Sequence, residues 1–279
     1  MSFVSTLVPV LIALGVVFAL ALLLGIVLAV LNKYFAVPGD ETVKAIRECL
    51  PGINCGACGY KGCDDYAAAV AEGKAKPNLC VPGAAGATAR IGDILGIKVE
   101  PPKDVVAFVA CNGNCEATSK KADYEGIQSC YAASMLYGGP ETCRFGCLGY
   151  GDCAFACPSH AICIEDGIAH VDTSRCIGCG LCVDTCPKHI ISLLPQDTMV
   201  ANMCSSNDKG ADARKACKNA CIGCGKCAKE CPEGAIEMAD NLAHINYDKC
   251  VRCGKCADVC PTKCLKKVFF PDIPEGFEI

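Results

Sequence analysis

Cys221-Ile222-Gly223-Cys224-Gly225-Lys226-Cys227-Ala228-Lys229-Glu230-Cys231-Pro232 returns, 29 residues on, as Cys250-Val251-Arg252-Cys253-Gly254-Lys255-Cys256-Ala257-Asp258-Val259-Cys260-Pro261. The same spacing occurs a third time at Cys176, Cys179, Cys182 and Cys186, again followed by proline, Pro187. A fourth, imperfect copy lies 29 residues before that one. Cys147, Cys153 and Cys157 keep the phase and Pro158 follows, but Tyr150 stands where a cysteine is due. The segments inside each pair of runs also align, Ala161-Ile162 to Ala169-His170-Val171 with Ala235-Ile236 to Ala243-His244-Ile245. Apolar residues alternate there about a Gly or Asn turn, the pattern of a small β-hairpin. Self-similarity at a fixed period means one structural unit used more than once. The two copies run over 143–194 and 217–268.

Cys-x2-Cys-x2-Cys-x3-Cys-Pro is the run of bacterial two-cluster ferredoxins. Two-residue gaps let a tight loop wrap three thiolates around one [4Fe-4S] cubane. The longer gap and the proline turn the fourth thiolate away, onto the other cluster of the unit. In the C-terminal unit one cluster therefore takes Cys221, Cys224, Cys227 and Cys260, and the other Cys250, Cys253, Cys256 and Cys231. In the preceding unit Cys176, Cys179, Cys182 and Cys157 form a complete set. The remaining site has Cys147, Cys153 and Cys186, with Cys143, one helical turn before Cys147, as the expected substitute for Tyr150. The alternatives at that site are a three-cysteine cluster and a weaker fourth ligand. Zinc also takes four thiolates, but its sites join two distant Cys-x2-Cys pairs, unlike these proline-terminated runs.

Twenty-eight cysteines in 279 residues fit either a disulfide scaffold or a metal-rich chain. Tightly spaced thiols converge on metal more readily than they form structural disulfides, so metal is the reading. A net charge of −4, the absence of Trp and the lack of a basic, aromatic-laced patch exclude a nucleic-acid binder. Leu7 to Leu31 is a run of 25 residues without a charge, and a bilayer core needs about 20 as a helix. A cleaved signal peptide is the alternative, but no basic region precedes the run and it is too long for a signal core. Lys33, Lys44 and Arg47 follow it, so the positive-inside tendency predicts a single-pass anchor in the cell membrane with the bulk of the chain in the cytoplasm.

The expected class is α+β: an N-terminal transmembrane helix, a small helical single-cluster domain, then two tandem bacterial-ferredoxin-like units. The expected divisions are an anchor at 1–35, a four-cysteine domain at 38–98, a connecting region at 103–142, the units at 143–194 and 217–268, a polar linker at 195–216 and a tail at 269–279. Helices are predicted at Asp40–Cys49, Asp64–Glu72 and Ala84–Leu95, and a buried strand at Val105–Ala110.

Cys55-Gly56-Ala57-Cys58-Gly59-Tyr60-Lys61-Gly62-Cys63, closed by Cys80-Val81-Pro82-Gly83, resembles a single-cluster domain found in the B subunit of the Rnf complex and in corrinoid iron–sulfur proteins. Apolar span, this domain, then ferredoxin-like repeats is the order of the Rnf B subunit, in its longer clostridial form. The resemblance covers nearly the whole chain. It implies an electron-transfer subunit of a ferredoxin:NAD+ oxidoreductase coupled to Na+ or H+ transport, and the cysteine sets of this sequence give it five [4Fe-4S] clusters, or six. Reduced ferredoxin would be the donor; the other Rnf membrane subunits, an NAD-binding subunit and the lipid bilayer would be the partners. No nucleotide fingerprint is present, so NAD chemistry is expected elsewhere. The competing readings are a polyferredoxin of another membrane redox complex, such as a hydrogenase or a reductive-activation system, and a structural metal-binding protein without redox chemistry.

Eight cysteines fall outside these sets. Cys111, Cys115 and Cys130 are candidate ligands of a sixth cluster, Gly113 permitting a tight loop, with Cys143 or another residue as fourth. Cys49, Cys163 and Cys264 read as packing residues; Cys204 lies in the linker and Cys217 has no assignment. His170 and His244 occupy matched hairpin positions and read as structural, and no catalytic Cys–His pair is assigned. Lys249, Arg252, Lys255, Lys263, Lys266 and Lys267 face only Asp258 in the same stretch, a candidate docking surface for an acidic ferredoxin.

Overall fold

The computed structural model describes residue 12, residues 15–28 and residues 41–268. The chain divides into two units, Met1–Ala45 and Ile46–Ile279. In the first, residues 15–28 are helical and Phe18, Leu20 and Leu23 are exposed. Among the described residues no helix is long and apolar enough to cross a membrane. Of the expected transmembrane helix over Leu7–Leu31 only residue 12 and residues 15–28 are described; the rest of that run lies outside the described residues. So does the tail at 269–279.

The second unit opens with a small helical region. Helix α1 (Glu41–Cys49) runs into it and buries Ile46 and Cys49. Helix α2 (Cys63–Ala71) buries Tyr66, Ala67, Ala69 and Val70. Helix α3 (Ala84–Leu95) buries Ala87, Thr88, Ile91 and Gly92 and stops at Gly96, whose left-handed φ of 67° lets its N–H cap the helix. The Tyr66 hydroxyl donates to the Lys76 carbonyl at 2.8 Å and accepts from the Leu79 N–H at 3.1 Å, which pins the loop that brings Cys80 back. Arg47 pairs with Asp64 at 2.8 Å.

Strand β1 (Val105–Val109) follows, then helix α4 (Cys130–Ser134) and the first ferredoxin-like unit: helix α5 (Asp152–Phe155), hairpin strands β2 (Ile162–Glu165) and β3 (Ile168–Val171), helix α6 (Leu181–Thr185) and strand β4 (Ile191–Pro195). The hairpin pairs Ile162 with Val171 and Glu165 with Ile168. β1 is the antiparallel partner of β4, Val105 opposite Pro195 and Val109 opposite Ile191, so the connecting region supplies a strand to this unit. The second unit repeats the plan with helix α8 (Lys226–Glu230), strands β6 (Ile236–Ala239) and β7 (Leu242–Ile245), helix α9 (Lys255–Asp258) and strand β8 (Leu265–Lys267). Its outer strand partner is β5 (Val200–Asn202), Val200 opposite Lys267.

The stretch read as a polar linker is thus folded. β5 is a strand, α7 (Gly210–Ala216) is a helix, Ser206 is fully buried and the Ser205 hydroxyl donates to the Ala110 carbonyl at 2.7 Å. Arg144 and Asp208 close it onto the first unit at 2.6 Å. Each core is shared between apolar strand residues and thiols, for example Ala107, Val109, Ile162 and Ile191 with Cys153, Cys182 and Cys186. Gly149 and Gly223 hold matched places in the two units, at φ 73° and 64°. A Cβ there would lie 2.5 Å from the Gly167 carbonyl oxygen or 2.9 Å from that of Asn241, so each cysteine loop is pressed onto its hairpin turn.

Candidate iron–sulfur sites

One tight loop and a returning segment build the first site. Asn54, itself at a left-handed φ of 53°, accepts the Cys63 N–H on its Oδ1 at 2.8 Å, and the loop Cys55–Gly62 curls over the start of α2. Cys80 returns beneath it. Burial pushes its thiol up, and the nearby thiols of Cys63, Cys55 and Cys58 add to the rise. These four cysteines therefore stand together.

The second site gathers Cys176, Cys179, Cys182 and Cys157. Burial pushes Cys182 up to about 12, and Cys176, Cys179 and Cys157 are the neighbours that raise it further. Backbone N–H groups point at the sulfurs: Ala107 N–H at 3.3 Å from Cys176 Sγ and Ala161 N–H at 3.3 Å from Cys157 Sγ. The second ferredoxin-like unit has two such sites. Cys221, Cys224, Cys227 and Cys260 line one cavity. Cys256 is pushed up to about 11 by burial and by Cys250, with Cys227 and Cys231 nearby, and the Ala235 N–H lies 3.3 Å from Cys231 Sγ. Cys253 is exposed at the rim. Cys264, expected as a packing residue, is buried in the same cavity, its Sγ 3.6 Å from that of Cys260. The Cys264 thiol beside Cys221 pushes the Cys221 thiol down.

The Tyr150-interrupted site differs from expectation. Cys147, Cys153 and Cys186 line one cavity, and the fourth cysteine on its wall is Cys130. Burial pushes Cys153 up to about 12, with Cys147 and then Cys130 and Cys186 as the next causes. Cys130 opens α4, and Asp152 holds it there. The Asp152 carboxylate accepts from the Ser129 hydroxyl at 2.9 Å and from the N–H groups of Cys130 and Tyr131 at 3.0 Å. Burial pushes this carboxyl upward, but the three hydrogen bonds together outweigh it and leave it below its ordinary value. Tyr150 turns away to meet Tyr124 edge-on, ring centroids 5.6 Å apart.

Cys143 stands elsewhere. It lines a separate cavity with Cys111, Cys204 and Cys217. Of the three cysteines expected to form an extra site, only Cys111 is there. Cys130 serves the neighbouring cavity, and Cys115 is exposed against the turn of the β2–β3 hairpin, its N–H bonded to the Asp166 carbonyl at 2.9 Å. Cys163 sits on β2 with Glu165. Spacing conceals Cys130, Cys204 and Cys217, because each comes from a different segment. The one local signal is the odd number of cysteines in the defective run.

Neighbouring sets influence one another electrostatically or share an amide contact. Cys179 is within electrostatic reach of Cys55, and Cys153 of Cys182. The Cys147 N–H lies 3.4 Å from Cys111 Sγ, the Cys221 N–H lies 3.3 Å from Cys204 Sγ, and Cys256 senses Cys227. Among the described residues no three Cys, His, Asp or Glu side chains converge as ligands of a single ion. Zinc would draw four sulfurs to about 2.3 Å of one point. A cubane takes one thiolate at each of four irons, so its ligands ring a space, which is the arrangement seen. Buried thiols around a cavity, with amide N–H groups aimed at sulfur, fit the group.

The fold and these sites define a multi-cluster iron–sulfur protein of the electron-carrier type. An Fe-S cluster family matches residues 50–82, and 4Fe-4S dicluster domain families match 135–187, 175–236 and 220–264. The chain is 42% identical over 241 residues, 86% of its length and 72% of the relative's, to the B subunit of the Na+-translocating ferredoxin:NAD+ oxidoreductase complex of Acetobacterium woodii. It is 44% identical over 229 residues, 81% of each chain, to the B subunit of the proton-translocating ferredoxin:NAD+ oxidoreductase complex of Clostridium ljungdahlii. It is 36% identical over 238 residues, 85% of its length and 90% of the relative's, to the B subunit of the ion-translocating oxidoreductase complex of Methanosarcina acetivorans. This chain belongs to the B-subunit family of the Rnf-type ion-translocating oxidoreductase complexes.

Proposed function

We propose that this chain is the iron–sulfur electron-transfer subunit of a ferredoxin:NAD+ oxidoreductase complex coupled to ion translocation. It takes electrons from reduced ferredoxin and delivers them to the membrane and NAD-binding subunits. The observation that carries the reading is the repeated gathering of four cysteines in one fold, with backbone N–H groups aimed at their sulfurs. When bound, [4Fe-4S] clusters supply one-electron carriers whose potentials follow burial and hydrogen bonds to sulfur. The chain's own part is to hold the thiols in rigid loops, keep water from them and aim amide N–H groups at sulfur. Cys55, Cys58, Cys63 and Cys80 hold the first cluster; Cys157, Cys176, Cys179 and Cys182 the second; Cys130, Cys147, Cys153 and Cys186 the third. In the second unit the ligands are crossed as Cys221, Cys224, Cys227, Cys260 and Cys231, Cys250, Cys253, Cys256.

Leu7–Leu31 serves as a single-pass anchor with the cluster domains on the cytoplasmic side, a reading supported by its uncharged sequence and the basic residues after it. Ferredoxin docks at the C-terminal end. Cys253 is exposed there between Arg252 and Lys255. The basic surface is less bare than the sequence implies: Arg252 pairs with Asp197 and Lys267 with Asp258. Lys249, Lys255 and Lys263 are therefore the better variants. Reversing their charge should slow reduction of the chain by ferredoxin at low salt and leave reduction by dithionite unchanged, as followed by bleaching of the cluster absorbance. An unaltered ferredoxin rate would remove docking from this end. Failure of ferredoxin to reduce the unsubstituted chain would overturn the function.

A further inference from the structure

We propose that the cavity lined by Cys111, Cys143, Cys204 and Cys217 is a further [4Fe-4S] site, the one that joins the two ferredoxin-like units; this rests on the electron-transfer reading above. Four segments meet there: Cys111 just after β1, Cys143 at the entrance of the first unit, Cys204 after β5 and Cys217 at the end of α7. None is in a disulfide. Phe145 and Met203 are on the wall with Gly113 and Gly146. A Cβ on Gly113 would stand 3.4 Å from Cys217 Sγ and 3.6 Å from Cys111 Sγ, and one on Gly146 would stand 3.6 Å from Cys143 Sγ, so both glycines leave the backbone close to the thiols.

The second line of support is where the amides point. Cys111 Sγ accepts from Gly113 N–H and Cys147 N–H, both at 3.4 Å. Cys204 Sγ accepts from Ser206 N–H at 3.5 Å and Cys221 N–H at 3.3 Å. For both sulfurs one of the donors is the amide two residues on. Backbone amides also serve Cys157 and Cys231 in the ferredoxin-like runs, there from four residues on. A neutral packing thiol has little use for two amide donors; a metal-bound thiolate does. Loading would take iron and sulfide from outside the chain and release the four thiol protons to solvent.

Placement gives the site its role. The Cys147 amide on Cys111 ties it to the third cluster site, and the Cys221 amide on Cys204 ties it to the first site of the second unit. Without it, the two units would be joined by protein alone.

The test is iron and sulfide content of the anaerobically purified full chain, with native mass spectrometry to count clusters. The unsubstituted chain should carry six clusters, about twenty-four irons at four per cubane. The double variant Cys204→Ala/Cys217→Ala should lose about four irons and four sulfides and keep about twenty. Cys115→Ala/Cys163→Ala should lose none. A native mass of five clusters, or a double variant with the unsubstituted iron content, would overturn the proposal. Should the double variant unfold, the cluster count of the unsubstituted chain still decides. Little iron in that chain would instead overturn the broader electron-transfer reading.

Discussion

Cys130 and Tyr150 show how one residue's job can move to another segment. The first ferredoxin-like unit lacks a cysteine at 150, and α4 offers Cys130 to the same cavity, held by the Asp152 carboxylate. Cys130→Ala should remove about four irons, and adding Tyr150→Cys should restore them, because 150 is the matched position of a normal run. Cys143→Ala should lose its irons without rescue by Tyr150→Cys. Iron analysis of the four proteins checks both halves, and rescue of the Cys143 variant would return that residue to the interrupted site. The raised thiols make a pH prediction. Burial pushes Cys111 and Cys153 up to about 12 in the metal-free chain, so each keeps its proton through neutrality and iron must displace it. Cluster reconstitution should therefore quicken as pH rises from about 7 to about 9, with proton release detectable in a pH-stat. Uptake independent of pH would contradict the burial. The complete runs were legible because their ligands are local in sequence. Cys130, Cys204 and Cys217 were not, because only tertiary packing brings them to a cavity.

Elements in this chain are short, and side chains and turns fix them more than propensity does. Helices α2 and α3 and strand β1 stand close to where the apolar spacing puts them, since each buries a regular face. Strand β5 was hidden: Val200–Asn202 is too short to signal itself and exists because β8 pairs with it. Tyr66→Phe strips a buried hydroxyl from the Lys76 carbonyl and the Leu79 N–H. Leaving buried backbone groups unpaired costs about 1–3 kcal/mol. The variant should lower the melting temperature and release the iron of the Cys80 site to chelator before the others. Uniform release from every site would show that the loop is not held this way. Gly149→Ala places a Cβ against the Gly167 carbonyl at a left-handed φ, and should destabilise by about 1–3 kcal/mol. Denaturant titration measures it, and a neutral result would mean that the loop and hairpin turn separate freely.

At the scale of the molecule, the sequence presents beads on a string: a small domain, two units and a polar linker. The structure instead folds the chain from Ile46 onward as one unit, with the linker bonded to both ferredoxin-like units. A chain so tied conducts through fixed neighbours and needs no swinging domain. Side-chain charge at the docking end was only half legible, because Asp197, which neutralises Arg252, lies far from it in sequence. If the six cysteine sets form one path of interacting [4Fe-4S] centres, iron and acid-labile sulfide per chain, measured together with EPR of the dithionite-reduced protein, will show it most directly. About twenty-four of each and a broadened spectrum of mutually coupled clusters are expected. Stoichiometric zinc with little sulfide, or isolated signals free of coupling, would contradict such a path.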